Sequence, residues 1–394
     1  MSYPSAILDI GTSKAVCLLG GRGNSDLMEL YGTGCHEHAG LRKGAFIKQQ
    51  TVRDAAMDAI RDAAQEAGRS ISSICIGVPD AMIQTICARV TMPLGTQRKI
   101  QQEDLDAFIE FALKETPVER RWIHLNSHIE RFEINRSTFK HLPIGTIAKE
   151  LTGVISNTFF RRDFEDLMKS VMGEMNIGIE AFVDSIYAQA MFVFPGDRRN
   201  RDAVLIDVGY YQTNMLVLRN EAPIYRKHID IGGHHIANDI HYVLDIPSKT
   251  AEELKRRHVF GLDYMEQMDT YQRVDGTWFE CEYDMVQNII EARALEIAEM
   301  LMIELNEAPI QIDKNTIVSI TGGGILMMRG GREFLQSAME MSLLAAHPVL
   351  PKRNSPNFYS AYGVLEYCLE RSQAQKNGRW GRSLVRSIVD FFTK

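Results

Sequence analysis

Three glycine-rich turns carry the residue types that could handle a phosphate. Asp9-Ile10-Gly11-Thr12-Ser13-Lys14 sits between two apolar runs, and Asp207-Val208-Gly209 does the same near mid-chain. Thr321-Gly322-Gly323-Gly324 follows a third apolar run. Glycine lets backbone N–H groups approach a phosphate, and hydroxyls donate hydrogen bonds. A carboxylate at a strand end can hold a hydrated Mg²⁺. Three successive glycines also permit close approach of a flat ligand such as adenine or ribose. A lone Asp-x-Gly turn is what any hairpin uses. Two of them, in two halves of one chain, could face each other across a cleft. Together they would hold the phosphates and metal of one nucleotide, with Asp9 and Asp207 reaching the metal through water. No general base is identifiable from the sequence, so no catalytic residue is assigned.

The elements that must position these turns are legible in the pattern. Residues 5–20 read as strand, polar turn, strand, and 203–218 repeat that logic about 200 residues later, at domain scale. Residues 51–68 predict a helix with Ala55, Ala56, Ala59, Ile60 and Ala63 as its apolar stripe, Thr51 as N-cap and Gly68 as terminator. Residues 71–80 read as a strand ended by Pro79. Residues 84–160 change character: alternating strands flank one helix, a compact α+β insertion. Two helical segments, AEELKRR and MVQNIIEARALEIAEMLMIELNE, follow the second hairpin. Residues 372–378, SQAQKNG, lack apolar periodicity and read as a linker.

The chain has 394 residues and a formal net charge of −7, which fits two or three domains and speaks against a general nucleic-acid binder. The six cysteines are scattered with no C-x-x-C pair, against a zinc ribbon or a secreted disulfide scaffold. No run of about 18 apolar residues predicts a transmembrane helix, and the N-terminus lacks the features of a signal peptide. Cys35-His36-Glu37-His38 has metal-capable side chains but no second ligand cluster, so an exposed strand is the reading. His234-His235 reads as a turn feature, and the 19 methionines as adaptable core filler.

The order Asp9-x-Gly11-Thr12-Ser13, Asp207-x-Gly209, Thr321-Gly322-Gly323-Gly324 resembles the nucleotide site of the actin-like ATPases. Within that superfamily the chain resembles the bacterial cell-division FtsA family. The stretches 40–68, 228–240, 250–261, 288–301, 318–328 and 355–367 carry the resemblance, and the insertion falls where that family has its subdomain 1C. The implied fold is α/β, an actin-like (ribonuclease-H-like) two-domain fold. Residues 1–83 and 162–202 would be subdomain 1A, 84–161 subdomain 1C, 203–235 and 311–371 subdomain 2A with the closing helix, and 236–310 subdomain 2B. The implied ligands are ATP and Mg²⁺. Asp9, Gly11, Thr12, Ser13 and Lys14 would form the first phosphate turn, and Asp207, Gly209 and Thr213 the second. Gly232 and Gly233 would flank the nucleotide, Glu252 and Lys255 approach ribose and adenine, and Gly322, Gly323 and Gly324 floor the base.

One departure stands out. Tyr210 and Tyr211 replace the small residues that the family carries in its second turn. Either they point away along the hairpin, or nucleotide affinity or hydrolysis is weakened. ATP hydrolysis is therefore left open, at most slow.

Residues 379–394, RWGRSLVRSIVDFFTK, form an amphipathic pattern. On a helical wheel Trp380, Leu384, Val385, Ile388, Val389, Phe391 and Phe392 share one side. Arg379, Arg382, Arg386 and Lys394 against Asp390 leave the other side at about +3. Basic residues opposite Trp, Phe and Leu describe an interfacial membrane helix on anionic lipid, although a helix docked on protein has the same pattern. The resemblance agrees, since the family ends in a membrane-targeting helix. Arg293 and Glu296 lie one turn apart on the 2B helix and read as a solvated ion pair. By resemblance Arg293 would meet the acidic C-terminal tail of the tubulin-like protein FtsZ.

The resemblance implies an ATP-binding, self-assembling tether. It would join FtsZ filaments to anionic lipids on the cytoplasmic face of the cell membrane at the division site, with other division proteins as partners and no nucleic acid. The alternative is an actin-like scaffold of the PilM type, which carries the insertion but needs no terminal lipid helix. A metabolic phosphotransferase is a third class, which the terminal helix and the insertion argue against.

Overall fold

The computed structural model describes residues 5–23, 27–194, 196, 201–263, 267–313, 316–345 and 355–376. Two five-stranded sheets repeat one topology. The first runs Gly178–Asp184, Ser73–Val78, Ser5–Ile10, Lys14–Arg22, Met28–Glu37. The second runs Leu344–Ala345, Ile317–Thr321, Ala203–Val208, Thr213–Arg219, Ala222–Ile229. In each, the founding strand pairs antiparallel with its successor and parallel with a strand much later in the chain. Apart from Ser5, Asp9 and Asp207 the founding strands are apolar, because both faces are covered. The expected domain-scale repeat is therefore real, down to the turn: Gly11 N–H donates to Lys14 O and Gly209 N–H to Gln212 O, each at 2.9 Å.

The helix Gln49–Ala67 lays its alanines on the first sheet. Small residues let it come close: a Cβ on Gly34 would sit 1.9 Å from Ala59 O. Gly68 ends it at φ +60°, as expected. Thr51 is not its cap. The helix starts two residues earlier, Lys48 occupies the cap position, and the Thr51 hydroxyl donates back to Lys48 O at 2.9 Å.

The insertion forms a separate four-stranded sheet, Ile83–Lys99, Ile147–Arg161, Trp122–Ile134, Ser137–Phe139, with the helix Asp104–Glu115 across it. Phe108, Phe132, Leu151 and Ile155 give it a core of its own. Beyond the second sheet, the helices Gly233–Leu244, Ser248–Arg257 and Tyr283–Glu307 share one core with that sheet. A hairpin, Met268–Gln272 with Trp278–Glu282, lies between them. Sequence reasoning missed it, because its two strands are short and largely exposed and their apolar residues do not alternate regularly.

The closing helix Tyr359–Lys376 returns to the first sheet. Ala361, Val364, Leu365 and Cys368 pack with Ile7, Val16 and Leu18. It takes up residues 372–376 of the stretch read as a linker. Trp380, Arg382, Leu384, Val385, Arg386, Ile388, Phe391 and Phe392 lie outside the described residues. Among the described residues no helix is long and apolar enough to cross a membrane.

Candidate functional site

The two equivalent hairpin turns face each other across a cleft of about 1000 Å³. Its wall holds Asp9, Gly11, Thr12, Ser13 and Lys14 from the first turn and Asp207, Gly209, Tyr210, Tyr211 and Gln212 from the second. Glu252, Lys255 and Gly322, Gly323 and Gly324 complete it. Three predicted residues stand behind the wall. Thr213 is fully buried, its hydroxyl donating to Ile231 O at 2.8 Å. Gly232 and Gly233 support the second turn: Gly233 N–H donates to Gly209 O at 3.0 Å, and a Cβ on Gly232 would lie 2.6 Å from the same oxygen.

The glycines 322 to 324 serve the fold as well as the cleft. Gly322 has φ +89°, and a Cβ there would fall 2.2 Å from Asp207 Oδ1. Gly324 N–H donates to Val208 O at 2.7 Å. A side chain at either position would push the second turn out of place. Gly77, which sequence reasoning passed over, does the same for the first turn. A Cβ on it would lie 2.6 Å from Asp9 Oδ1 and 2.5 Å from Ser185 Oγ.

Asp9 and Asp207 end the two founding strands and are held deep in the cleft. Asp9 Oδ1 accepts from Ser185 Oγ at 2.7 Å, and burial raises its pKa against that bond. Burial, with the charges of Asp9 and Asp80 near it, pushes Asp207 up to about 7. Burial lowers the pKa of Lys14, whose Nζ stands 4.1 Å from the Phe358 ring centroid. Burial leads all three shifts and the attraction between Lys14 and the two aspartates offsets it only in part; a cation and an anionic phosphate chain would offset it further.

Unpartnered oxygens line the same space. Asp80 Oδ2, Gln189 Oε1, Gln212 Oε1 and Asn357 Oδ1 are buried without a hydrogen-bond partner, and all four residues line the cleft. Every one is an acceptor, so the cleft wants donors. Among the described residues no three His, Cys, Asp or Glu side chains are grouped to hold a metal directly. Acceptor oxygens spread along the cleft wall suit a cation that keeps its water shell, as Mg²⁺ does. The residues present thus fit a hydrated Mg²⁺ with a nucleotide.

On the wall formed by the second half, Lys255 Nζ donates to Glu252 Oε2 at 2.8 Å and to Gly233 O at 3.1 Å. Tyr210 and Tyr211 do not fold away from the site; both line it. Their rings cluster with His234, at 5.2 Å and 4.7 Å between centroids, and Tyr211 also lies under the Arg42 guanidinium. His235 is a cap: its Nδ1 accepts from Gly232 N–H at 3.1 Å. His36 pairs with Asp62 at 2.8 Å, while His38 is buried beside the first turn. Arg293 holds more than Glu296. Its guanidinium forks onto both carboxylate oxygens of Asp239, with Nη2 2.9 Å from Oδ1.

A family model described as cell division protein FtsA matches residues 204–363. Cell division protein FtsA of Pseudomonas aeruginosa is 22% identical over 374 residues, covering 92% of this chain and 89% of that protein. The protein of that name from Streptococcus pneumoniae is 24% identical over 347 residues, covering 85% and 72%. Among solved structures, a PilM–PilN type IV pilus biogenesis complex aligns with TM-score 0.63 at 15% identity, over 93% of this chain and 98% of the other. An MreB of Spiroplasma citri bound to AMPPNP aligns with TM-score 0.57 at 12% identity, over 96% and 99%. The chain has the actin-like fold and is similar in sequence to cell division protein FtsA over most of its length.

Proposed function

We propose, for an actin-like chain related to cell division protein FtsA, that the cleft binds ATP with Mg²⁺ and that the protein tethers FtsZ filaments to the inner face of the cell membrane. The observation that carries the nucleotide reading is the pair of matched turns, each with a buried aspartate, facing one cavity lined with unpartnered acceptor oxygens.

Glycine amides of both turns and Lys14 would receive the phosphates. Asp9 and Asp207 would hold the cation through its waters, and Lys255 with Glu252 would take ribose and base. Bound Mg²⁺ would supply charge neutralisation at the phosphates. The aromatic second turn, with Tyr210 and Tyr211 on the cleft wall, suits ATP as an assembly ligand better than rapid turnover. Self-assembly would multiply the weak grip of each terminal amphipathic segment on anionic lipid.

Division-protein contacts would use the helix Tyr283–Glu307, with Arg293 as the carboxylate receptor for the FtsZ tail. The PilM-type scaffold is the second reading, favoured by the fold likeness; the terminal Trp- and Arg-bearing segment favours the first.

Fluorescence anisotropy with a labelled FtsZ tail peptide tests the partner. Saturable binding to wild type that Arg293→Glu abolishes supports the tether. Absent binding to folded wild type, with and without ATP, overturns it in favour of another actin-like scaffold.

A further inference from the structure

Arg226 lies on the strand Ala222–Ile229 of the second half, yet its guanidinium is buried between two carboxylates of the first half, Asp80 and Asp184. The three side chains are 5% exposed or less. Asp184 is spent: it caps the helix Ser185–Val193, accepting from Tyr187 N–H at 3.2 Å, and its other oxygen meets Arg226. Asp80 is not. Arg226 takes Oδ1, whereas Oδ2 is buried without a partner on the cleft wall. A buried carboxylate oxygen left open costs free energy unless a donor arrives.

A hydrated cation in the cleft would bring such donors in its waters. Gln189 Oε1 is open on the same wall, its Nε2 fixed by Thr321 Oγ1 at 3.0 Å. Asp80 and Gln189 line the cleft together with Asp9 and Asp207. Both therefore border the space that a hydrated cation on Asp9 and Asp207 would fill.

We propose that Asp80 is a positioning residue for the hydrated cation of the cleft, set in place by Arg226 from the opposite half of the molecule. The inference rests on the nucleotide reading and extends it. Arg226 also donates from Nε to Thr85 Oγ1 at 3.3 Å, and Cys87 Sγ donates to Ile224 O at 3.2 Å. The strand that carries Arg226 is thus tied to the insertion sheet. Occupancy of the cation site is felt where the insertion meets the second half, through one guanidinium.

The test is the factor by which Mn²⁺ raises ADP affinity, from calorimetric titrations with Mn²⁺ and with EDTA. Variants are Asp80→Asn, Arg226→Lys and, as a control for damage to the triad alone, Asp184→Asn. The factor should fall ~10- to 100-fold in Asp80→Asn and Arg226→Lys, the range for groups that orient metal ligands, and less in Asp184→Asn. Should Asp80→Asn not fold, Arg226→Lys carries the same reading, because it keeps the buried charge and withdraws the fork. An unchanged factor overturns the proposal, as does an equal loss in Asp184→Asn. Wild type that binds ADP under neither condition overturns the nucleotide reading and this proposal with it.

Discussion

The guanidinium of Arg42 lies 3.7 Å from the ring centroid of Tyr211. Arg42 belongs to the short hairpin Leu41–Arg42 with Ala45–Phe46 in the first half; Tyr211 is in the second hairpin turn. The contact therefore bridges the cleft at its mouth, and Lys43 reaches Asp230 at 3.7 Å beside it. The aromatic residue that lines the cleft also gives the first half something to hold.

Arg42→Ala should speed release of a bound nucleotide. A cation–π contact contributes roughly 0.5 to 2 kcal/mol according to its exposure, about 2- to 30-fold in rate. Stopped-flow dissociation of a fluorescent ATP analogue measures it. Tyr211→Phe, which keeps the ring, should release at close to the wild-type rate.

Gly322→Ala should destabilise the fold. The residue would be forced to hold φ +89° with a Cβ 2.2 Å from Asp207 Oδ1. The expected loss is about 1–3 kcal/mol, read from the denaturant midpoint. Gly68→Ala is the comparison: its Cβ would meet nothing within 4 Å, so the strain of its φ +60° acts alone and the loss should be smaller.

These two glycines show what the sequence could and could not reveal. Gly11, Gly209 and Gly322 announced turns because each ends an apolar run, and the repeated Asp-x-Gly placed both turns in one cleft. Gly77 and Asp80 carry no such signal. Gly77 lies within an ordinary strand and Asp80 just after it, and they matter through Asp9 and Arg226, 68 and 146 residues away. Arg42 likewise meets Tyr211 only because two halves close. Contacts between distant segments leave no local period to read.

Acid should unfold the protein sooner than its carboxylates alone require. Burial, with the charges of His124 and Arg226 near it, pushes His128 down to about 3, and burial pushes His124 down to about 4. In the unfolded chain both titrate near ~6.5. The folded state thus binds fewer protons below that pH. The stability from keeping these rings neutral is full above about pH 6.5 and is lost as pH falls toward the folded values. His128→Phe keeps a ring against Tyr187 and should flatten the decline by up to about 1.4 kcal/mol per pH unit between pH 6 and 4. Urea titrations across that range measure it.

Asp239→Asn should tighten FtsZ tail binding severalfold. Asp239 now occupies the Arg293 fork that an acidic peptide would need. Weakening that internal partner frees the receptor, whereas Arg293→Glu removes it. Anisotropy with the same peptide distinguishes the two. Equal or weaker binding in Asp239→Asn would place the tail elsewhere.

The most direct test of the account is co-flotation of FtsZ filaments with anionic liposomes in the presence of ATP and Mg²⁺. The account predicts that FtsZ floats with the full-length chain, and stays behind when residues 379–394 are deleted or Arg293 is changed to Glu. FtsZ that remains in the dense fraction while wild-type chain floats would contradict it.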